Sequence, residues 1–397
     1  MDKLKGVIIL TQFSTIYERR NTHSAKWDML EQVYSIDDAT DVLPMWVADM
    51  DFALAPVIKD AIHKRLEHPI FGYSMTPEEA KSSLTNWVAN KHQLTIENEW
   101  ILFRQGVIPA MAEAVEAFTE VGDKVLIHTP VYPPFKGIPE NLGREVVTST
   151  LLEKNNSYEI DWESFEKCLQ TGVKMFILCN PHNPSGKVWS KDDLAKMAAL
   201  CQQYNVLVLS DEIHSDLVFH PNKHTPMLSA AEDIHNIITF LAPTKTFNMA
   251  GIQAATTIVP DEKKRKVLQQ LSMSRGDMGL NIFALTAFQA AYEQGAPWLE
   301  ELLNVLNSNM EYVIEHLSKI DGIQVTKPDG TYLLWIDYRG TGLSEKEMMN
   351  RLLLKGKLAL EPGTKYGEAG NGFLRMNVAC PPVIVEDGVA RFIKALS

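Results

Sequence analysis

An aromatic ring, an amide, a carboxylate and an amine follow four short apolar runs in the middle of this sequence. After Lys124-Val-Leu-Ile-His128 comes Thr129-Pro-Val-Tyr132, and after Lys174-Met-Phe-Ile-Leu-Cys179 comes Asn180-Pro-His-Asn-Pro-Ser-Gly186. Val206-Leu-Val-Leu209 leads into Ser210-Asp-Glu-Ile-His214, and Ile237-Ile-Thr-Phe-Leu241 into Ala242-Pro-Thr-Lys-Thr-Phe-Asn248. Runs that are apolar on both faces suit the covered strands of a parallel sheet, whose ligands bind outside the carboxyl ends of the strands. Tyr132, Asn183, Asp211 and Lys245 would then meet at one sheet edge.

That set meets the needs of pyridoxal phosphate. Lys245 can form an imine with an aldehyde, and Asp211 can keep a pyridine nitrogen protonated so that the ring accepts electrons. Asn183 can donate to the ring hydroxylate, and Tyr132 can stack on the ring face. For the phosphate, Gln105-Gly-Val-Ile-Pro-Ala110 offers backbone amides: with Pro109 at the first helical position, Gly106, Val107 and Ile108 lie at a helix N-terminus. Each residue alone has an ordinary explanation. A Lys after a strand is usually a solvated charge, an Asp there an N-cap, Asn-Pro-His-Asn-Pro a turn, and Tyr132 core. The functional reading rests on four different groups converging on one edge.

The elements that must position them form an α/β domain with a mostly parallel sheet and helices on both faces. Between the second and third runs, Leu194, Met197, Ala198 and Cys201 have helical spacing, and Ser190 with Asp193 three residues later predicts an N-terminal capping box. From Pro297 a long helical pattern runs through Leu299, Leu302, Leu303, Leu306, Met310, Val313, Ile314 and Leu317. Strand-like segments at 331–336 and 373–380 flank a helix near 344–355. These predict a large domain over 61–296, a smaller α+β domain over 297–397, and an N-terminal segment, 1–60, packing with the small domain.

Composition narrows the function classes. The 397 residues carry 38 Lys and Arg against 50 Asp and Glu, a net charge of -12, with no basic run to offset it. That argues against nucleic-acid and anionic-membrane partners. The four cysteines include no C-x-x-C pair, and Cys179 and Cys380 lie in apolar runs, so reduced thiols are expected. The apolar stretch Val7-Ile-Ile-Leu10 is too short for a membrane span or a signal-peptide core, which makes a cytoplasmic protein the expectation. His214, His220 and His224 have spacings that could suggest a metal site, but His220-Pro-Asn-Lys-His224 reads as an exposed, solvated loop without a Cys or a positioned acid, so no metal site is expected. There is no Gly-x-Ser-x-Gly elbow, Walker A loop or Gly-x-Gly-x-x-Gly.

Asn180–Gly186, Ser210-Asp-Glu-Ile-His214 and Thr244-Lys-Thr-Phe-Asn-Met-Ala-Gly251, in that order, resemble the fold-type I pyridoxal-phosphate enzymes of the class I/II aminotransferase superfamily. Four further motifs are similar to the MalY/PatB-type cystathionine β-lyases, which cleave carbon–sulfur bonds. They are Arg19-Arg-Asn-Thr-His-Ser-Ala-Lys-Trp27, Leu43-Pro-Met-Trp-Val-Ala-Asp-Met-Asp-Phe52, Phe71-Gly-Tyr-Ser74 and Gly372-Phe-Leu-Arg-Met-Asn-Val-Ala-Cys-Pro381. The resemblance runs from about residue 13 to the end. It implies a pyridoxal-phosphate transferase-like fold, Lys245 as the lysine bound to the cofactor, and Asp211, Asn183, Tyr132 and His214 around the ring. It further implies Arg375 on the substrate α-carboxylate, with Trp46 and Ala48 beside it. It also implies a homodimer with shared sites, in which Tyr73 reaches the cofactor phosphate of the other subunit. Strand alternation independently places Arg375 on an apolar face, where a guanidinium needs an anion: a substrate carboxylate, or a protein carboxylate in a buried ion pair.

Two positions depart from common aminotransferases. Gln253 stands where many carry a phosphate-binding arginine eight residues after the lysine, and Ala242 replaces a hydroxyl three residues before it. Phosphate binding would then lean on the amides around Val107 and on Thr244 or Thr246. The expected activity is β-elimination from cystathionine or another cysteine thioether. An aminotransferase would use the same groups, and a catalytically inactive ligand-sensing protein of this fold is the alternative from another class.

Overall fold

The computed structural model describes residues 11–154, 156–277 and 279–397; the Val7–Leu10 stretch lies outside them. Its central sheet has seven strands: β1 (Ile101–Arg104), β2 (Lys124–Thr129), β3 (Glu145–Thr150), β4 (Met175–Cys179), β5 (Leu207–Asp211), β6 (Ile237–Leu241) and β7 (Ala255–Ile258). Their order is β1-β7-β6-β5-β4-β2-β3, with β7 antiparallel to both its neighbours and the other strands parallel.

Alternation along the strands divides their side chains between two cores. Met175, Ile177 and Cys179 of β4, with Leu207 and Leu209 of β5, join one cluster together with Val107, Met111 and Val115 of the Val107–Phe118 helix. Phe176, Leu178 and Val208 point the other way, into a cluster that holds Leu194 and Met197 of the Lys191–Gln203 helix. Helices therefore cover both faces, which is why these strands read as unbroken apolar runs. The predicted capping box is present: Ser190 Oγ accepts the Asp193 N–H at 3.0 Å, and the Ser190 N–H donates back to Asp193 at 3.3 Å. Strand β7 was not foreseen, because Thr256 and Thr257, both buried, interrupt its apolar pattern.

A second sheet holds β8 (Gln324–Val325), β9 (Leu333–Asp337), β10 (Glu361–Pro362) and β11 (Phe373–Asn377), in the order β8-β9-β11-β10 and antiparallel throughout. The Ala296–Leu317 helix leads toward it, with Leu299, Leu302, Leu306, Met310, Val313 and Leu317 buried at helical spacing. Cys179, Cys201 and Cys380 are buried free thiols. Among the described residues no helix is long and apolar enough to cross a membrane.

The N-terminal segment is held by charge as well as by backbone pairing. Leu43–Pro44 pairs in parallel with Leu358–Ala359. Lys26, almost wholly buried, sets Nζ 2.6 Å from Asp51, while Arg19 spans Asp49 and Asp51 at 2.7 and 2.6 Å. A buried lysine is tolerated only with such partners, and removing one partner of a buried pair typically costs about 3–5 kcal/mol. This cluster fixes the course of residues 46–51 across the carboxyl ends of the strands.

Candidate active site

Lys245 lies on the short helix Pro243–Thr246, directly after β6. Its Nζ donates to the Ala48 carbonyl at 2.5 Å, and the same oxygen accepts the Tyr332 O–H at 2.9 Å. Burial and the nearby Arg375 charge push the Lys245 amine down to about 8. An amine so placed keeps a neutral, nucleophilic fraction near physiological pH.

Asp211 is the last residue of β5, because the strand runs two residues beyond the apolar run that announced it. Its carboxylate accepts the Ile213 N–H at 3.0 Å. Burial nevertheless raises it to about 7, and of the neighbouring influences the Lys245 ammonium is the smallest. A carboxylate in this state is a seat for a cation. His214 is also fully enclosed; burial pushes it down to about 3, so it is neutral, and Nδ1 has no partner. Burial likewise raises the Tyr132 hydroxyl above its ordinary value.

The Val107–Phe118 helix begins with Gly106 as its N-cap and no side-chain cap, so its first amides are free to meet an anion. Pro109 falls at the third helical position rather than the first, equally harmless because none of the first four amides has an intrahelical partner. Gln105 and Gln253 line the same cavity, where Lys245 and Arg375 are the Lys and Arg side chains among the described residues. The hydroxyls expected to assist here are placed otherwise. Thr246 donates to the buried Asp216 at 2.9 Å, and Thr244 is buried without lining the cavity.

Arg375, on β11, is 3% exposed and donates to Asn183 Oδ1 at 3.1 Å and to the Trp46 carbonyl at 2.8 Å. Holding Asn183 by its oxygen leaves the amide N–H groups as what that side chain can offer a ligand. Of the two anions the sequence left open for Arg375, a protein carboxylate is present: Glu361 of β10 pairs with Nη2. The Arg375 Nε remains without a partner. Two amides pin the backbone beside this cluster. Asn377 Nδ2 bonds the Val47 and Asp49 carbonyls at 2.6 and 2.5 Å, and Asn248 Nδ2 bonds those of Met50 and Phe52 at 3.0 and 2.8 Å.

The result is one cavity of about 470 Å³. Lys245, Tyr132, Asp211, Asn183, His214, Gly106, Val107, Ile108, Arg375, Ala48 and Trp46 all line it. Thr244 does not, and Tyr73 is fully exposed at 106%, away from the cavity of its own chain. Sequence reasoning missed Glu361, Tyr366 and the carbonyl of Ala48 as a hydrogen-bond acceptor. Among the described residues no group of three or more His, Cys, Asp or Glu side chains is arranged to hold a metal ion. His224, expected in a solvated loop without a positioned acid, is instead buried and paired with Glu212 at 2.9 Å, an acid that follows β5 and is brought to it by the fold.

Comparison with known proteins gives this arrangement a lineage. The model of the family described as aminotransferase class I and II matches residues 40–392. The chain is 45% identical to cystathionine beta-lyase PatB of Bacillus subtilis (strain 168) over 383 residues, 96% of this chain and 98% of that protein. It is 34% identical to protein MalY of Escherichia coli (strain K12), over 97% of this chain and 98% of MalY. Among solved structures it is similar to cystalysin from Treponema denticola, which contains pyridoxal 5'-phosphate. The TM-score there is 0.93 at 33% identity, over 97% of this chain and 98% of that one. With the sheet, the lysine after β6 and these likenesses together, the chain belongs to the aminotransferase class I and II family, in the branch that holds PatB and MalY.

Proposed function

We propose that the protein is a pyridoxal-phosphate-dependent carbon–sulfur β-lyase, cleaving cystathionine or a related cysteine thioether to a thiol, pyruvate and ammonia. The observation that carries this reading is the buried Lys245 amine, enclosed in one cavity with a buried carboxylate, free helix amides and a buried guanidinium. Those residues fit the cofactor: Asp211 needs a cation, the amides of Val107 and Ile108 await an anion, and His214 Nδ1 lacks a partner. When bound, pyridoxal phosphate supplies an aldehyde for condensation with amines and a ring that takes up electron density from the substrate α-carbon.

The chain's own groups then divide the work. Lys245 would hold the cofactor through its aldehyde until a substrate amine takes its place and, as a free amine, would accept the α-proton. With the cofactor bound, Asp211 would stay ionised to hold the ring nitrogen's proton, Asn183 would offer its amide N–H to the ring hydroxylate, and Tyr132 would provide an aromatic face for the ring. Arg375 would hold the α-carboxylate by charge-assisted hydrogen bonds and so orient the substrate for loss of its α-proton. The thiolate at the β-carbon would then leave and take up a proton as the thiol, while the three-carbon remainder is hydrolysed by one water to pyruvate and ammonia. Support for elimination over transamination comes from the 45% identity to a cystathionine beta-lyase across nearly the whole chain.

The proposal includes a cytoplasmic homodimer with shared sites, and a division into an N-terminal segment 1–60, a large domain 61–296 and a small domain 297–397. Exposed Tyr73 reaches the cofactor phosphate of a second copy; its exposed apolar neighbours Ile70, Phe71 and Met75 support an interface there. Incubating the purified, cofactor-loaded protein with a panel of cysteine thioethers and quantifying pyruvate tests the activity. Pyruvate from at least one of them is expected, and none from any would overturn it.

A further inference from the structure

Besides Asp211, the only carboxylate lining the cavity among the described residues is Glu361, and it is bound to the arginine that the proposed reaction needs. Glu361 Oε2 takes both Arg375 Nη2 and the Tyr366 O–H, the latter at 2.6 Å, while Oε1 takes Lys365 Nζ at 3.2 Å. Lys365 Nζ also lies 5.5 Å from the centre of the Trp46 ring, and the Trp46 carbonyl accepts from Arg375. The group thus joins two cations to one anion and carries a single net positive charge. One incoming α-carboxylate cancels that charge. A second carboxylate on the same substrate would stand uncompensated near Glu361, in a site walled by Tyr132, Tyr366 and Trp46.

We infer that Glu361 is a specificity-determining residue: with Lys365 and Arg375 it matches the site to amino acids with one uncompensated carboxylate and rejects thioethers whose sulfur substituent adds another. A zwitterionic substituent, like the distal end of cystathionine, adds no net charge and is accepted. This rests on the elimination reading above. Like charges roughly 12 Å apart, at an effective dielectric of about 20, repel enough to change an equilibrium constant on the order of tenfold, and nearer charges by more.

The test compares S-ethyl-L-cysteine with S-carboxymethyl-L-cysteine, two thioethers of similar size, on cofactor-loaded wild type, Glu361→Gln and Lys365→Gln. Wild type should favour the S-ethyl compound by about tenfold in kcat/KM; Glu361→Gln should bring the ratio toward parity, and Lys365→Gln should widen it. If Glu361→Gln slows both substrates by the same factor, Glu361 serves only to prop Arg375 and the inference fails. It fails equally if wild type shows no preference. Calorimetric binding of propionate and succinate to the same proteins gives a readout free of turnover. There, Glu361→Gln should tighten succinate relative to propionate, and an unchanged ratio overturns the proposal. If wild type eliminates neither of these thioethers nor L-cystathionine run beside them, the elimination reading falls, while the calorimetric ratio still decides the role of Glu361. Should Glu361→Gln not fold, Lys365→Gln decides through its opposite shift: an unchanged ratio there overturns the inference.

Discussion

Asp211→Asn, made in the cofactor-free protein, separates the demands of the fold from those of the chemistry. Burial lifts the Asp211 carboxyl from an ordinary 3.8 to about 7. Between those values the native state keeps a proton that the unfolded chain has released. The stability of the cofactor-free fold therefore falls as pH rises through that window. At about 1.36 kcal/mol for each pH unit, the loss reaches roughly 4 kcal/mol once Asp211 is ionised, and it vanishes where both states are protonated. Asn has the same shape, can accept the Ile213 N–H and carries no charge. The cofactor-free variant should thus be about 2–4 kcal/mol more stable than wild type near pH 8, with the gap shrinking toward about pH 5. Urea unfolding followed by tryptophan fluorescence at the two pH values measures this. Adding cofactor should reverse the order, since a ring cation stabilises the ionised Asp211 and Asn offers it no charge. A cofactor-free variant no more stable than wild type at the higher pH, with parallel pH dependences, would refute the reasoning.

Other substitutions probe the remaining parts of the site. Lys245→Ala should abolish turnover while leaving the far-ultraviolet circular dichroism unchanged, and borohydride should no longer fix the cofactor to the chain. Arg375→Ala should depress kcat/KM for cystathionine by the equivalent of about 2–5 kcal/mol, the usual cost of a charge-assisted contact to a buried group. Tyr73→Phe should weaken cofactor retention, measured by dialysis, in a species that sediments as a dimer. A fully active monomer would rule out the shared site.

The chemistry-bearing residues were legible because they follow apolar runs, and the α/β architecture because those runs are covered on both faces. Where the sequence fell short, the signal was not in side-chain type or spacing. Ala48 contributes a carbonyl, which any residue carries. Glu361 meets Arg375 only because a two-residue strand at Glu361–Pro362 pairs antiparallel with β11, too short a strand to leave a periodic pattern. Thr246 looked free for an anion, yet Asp216, thirty residues earlier, takes its hydroxyl. Pro109 marked the helix start two residues late, since the first turn accepts proline at any of its amide positions without loss of a hydrogen bond.

The most direct measurement of the central claim is the product balance with L-cystathionine as sole substrate and no added 2-oxo acid. Cofactor-loaded protein should release homocysteine, pyruvate and ammonia in equal amounts, and Lys245→Ala should release none. If product forms only when 2-oxoglutarate or another 2-oxo acid is supplied as amino acceptor, the protein is an aminotransferase and the β-lyase account is contradicted.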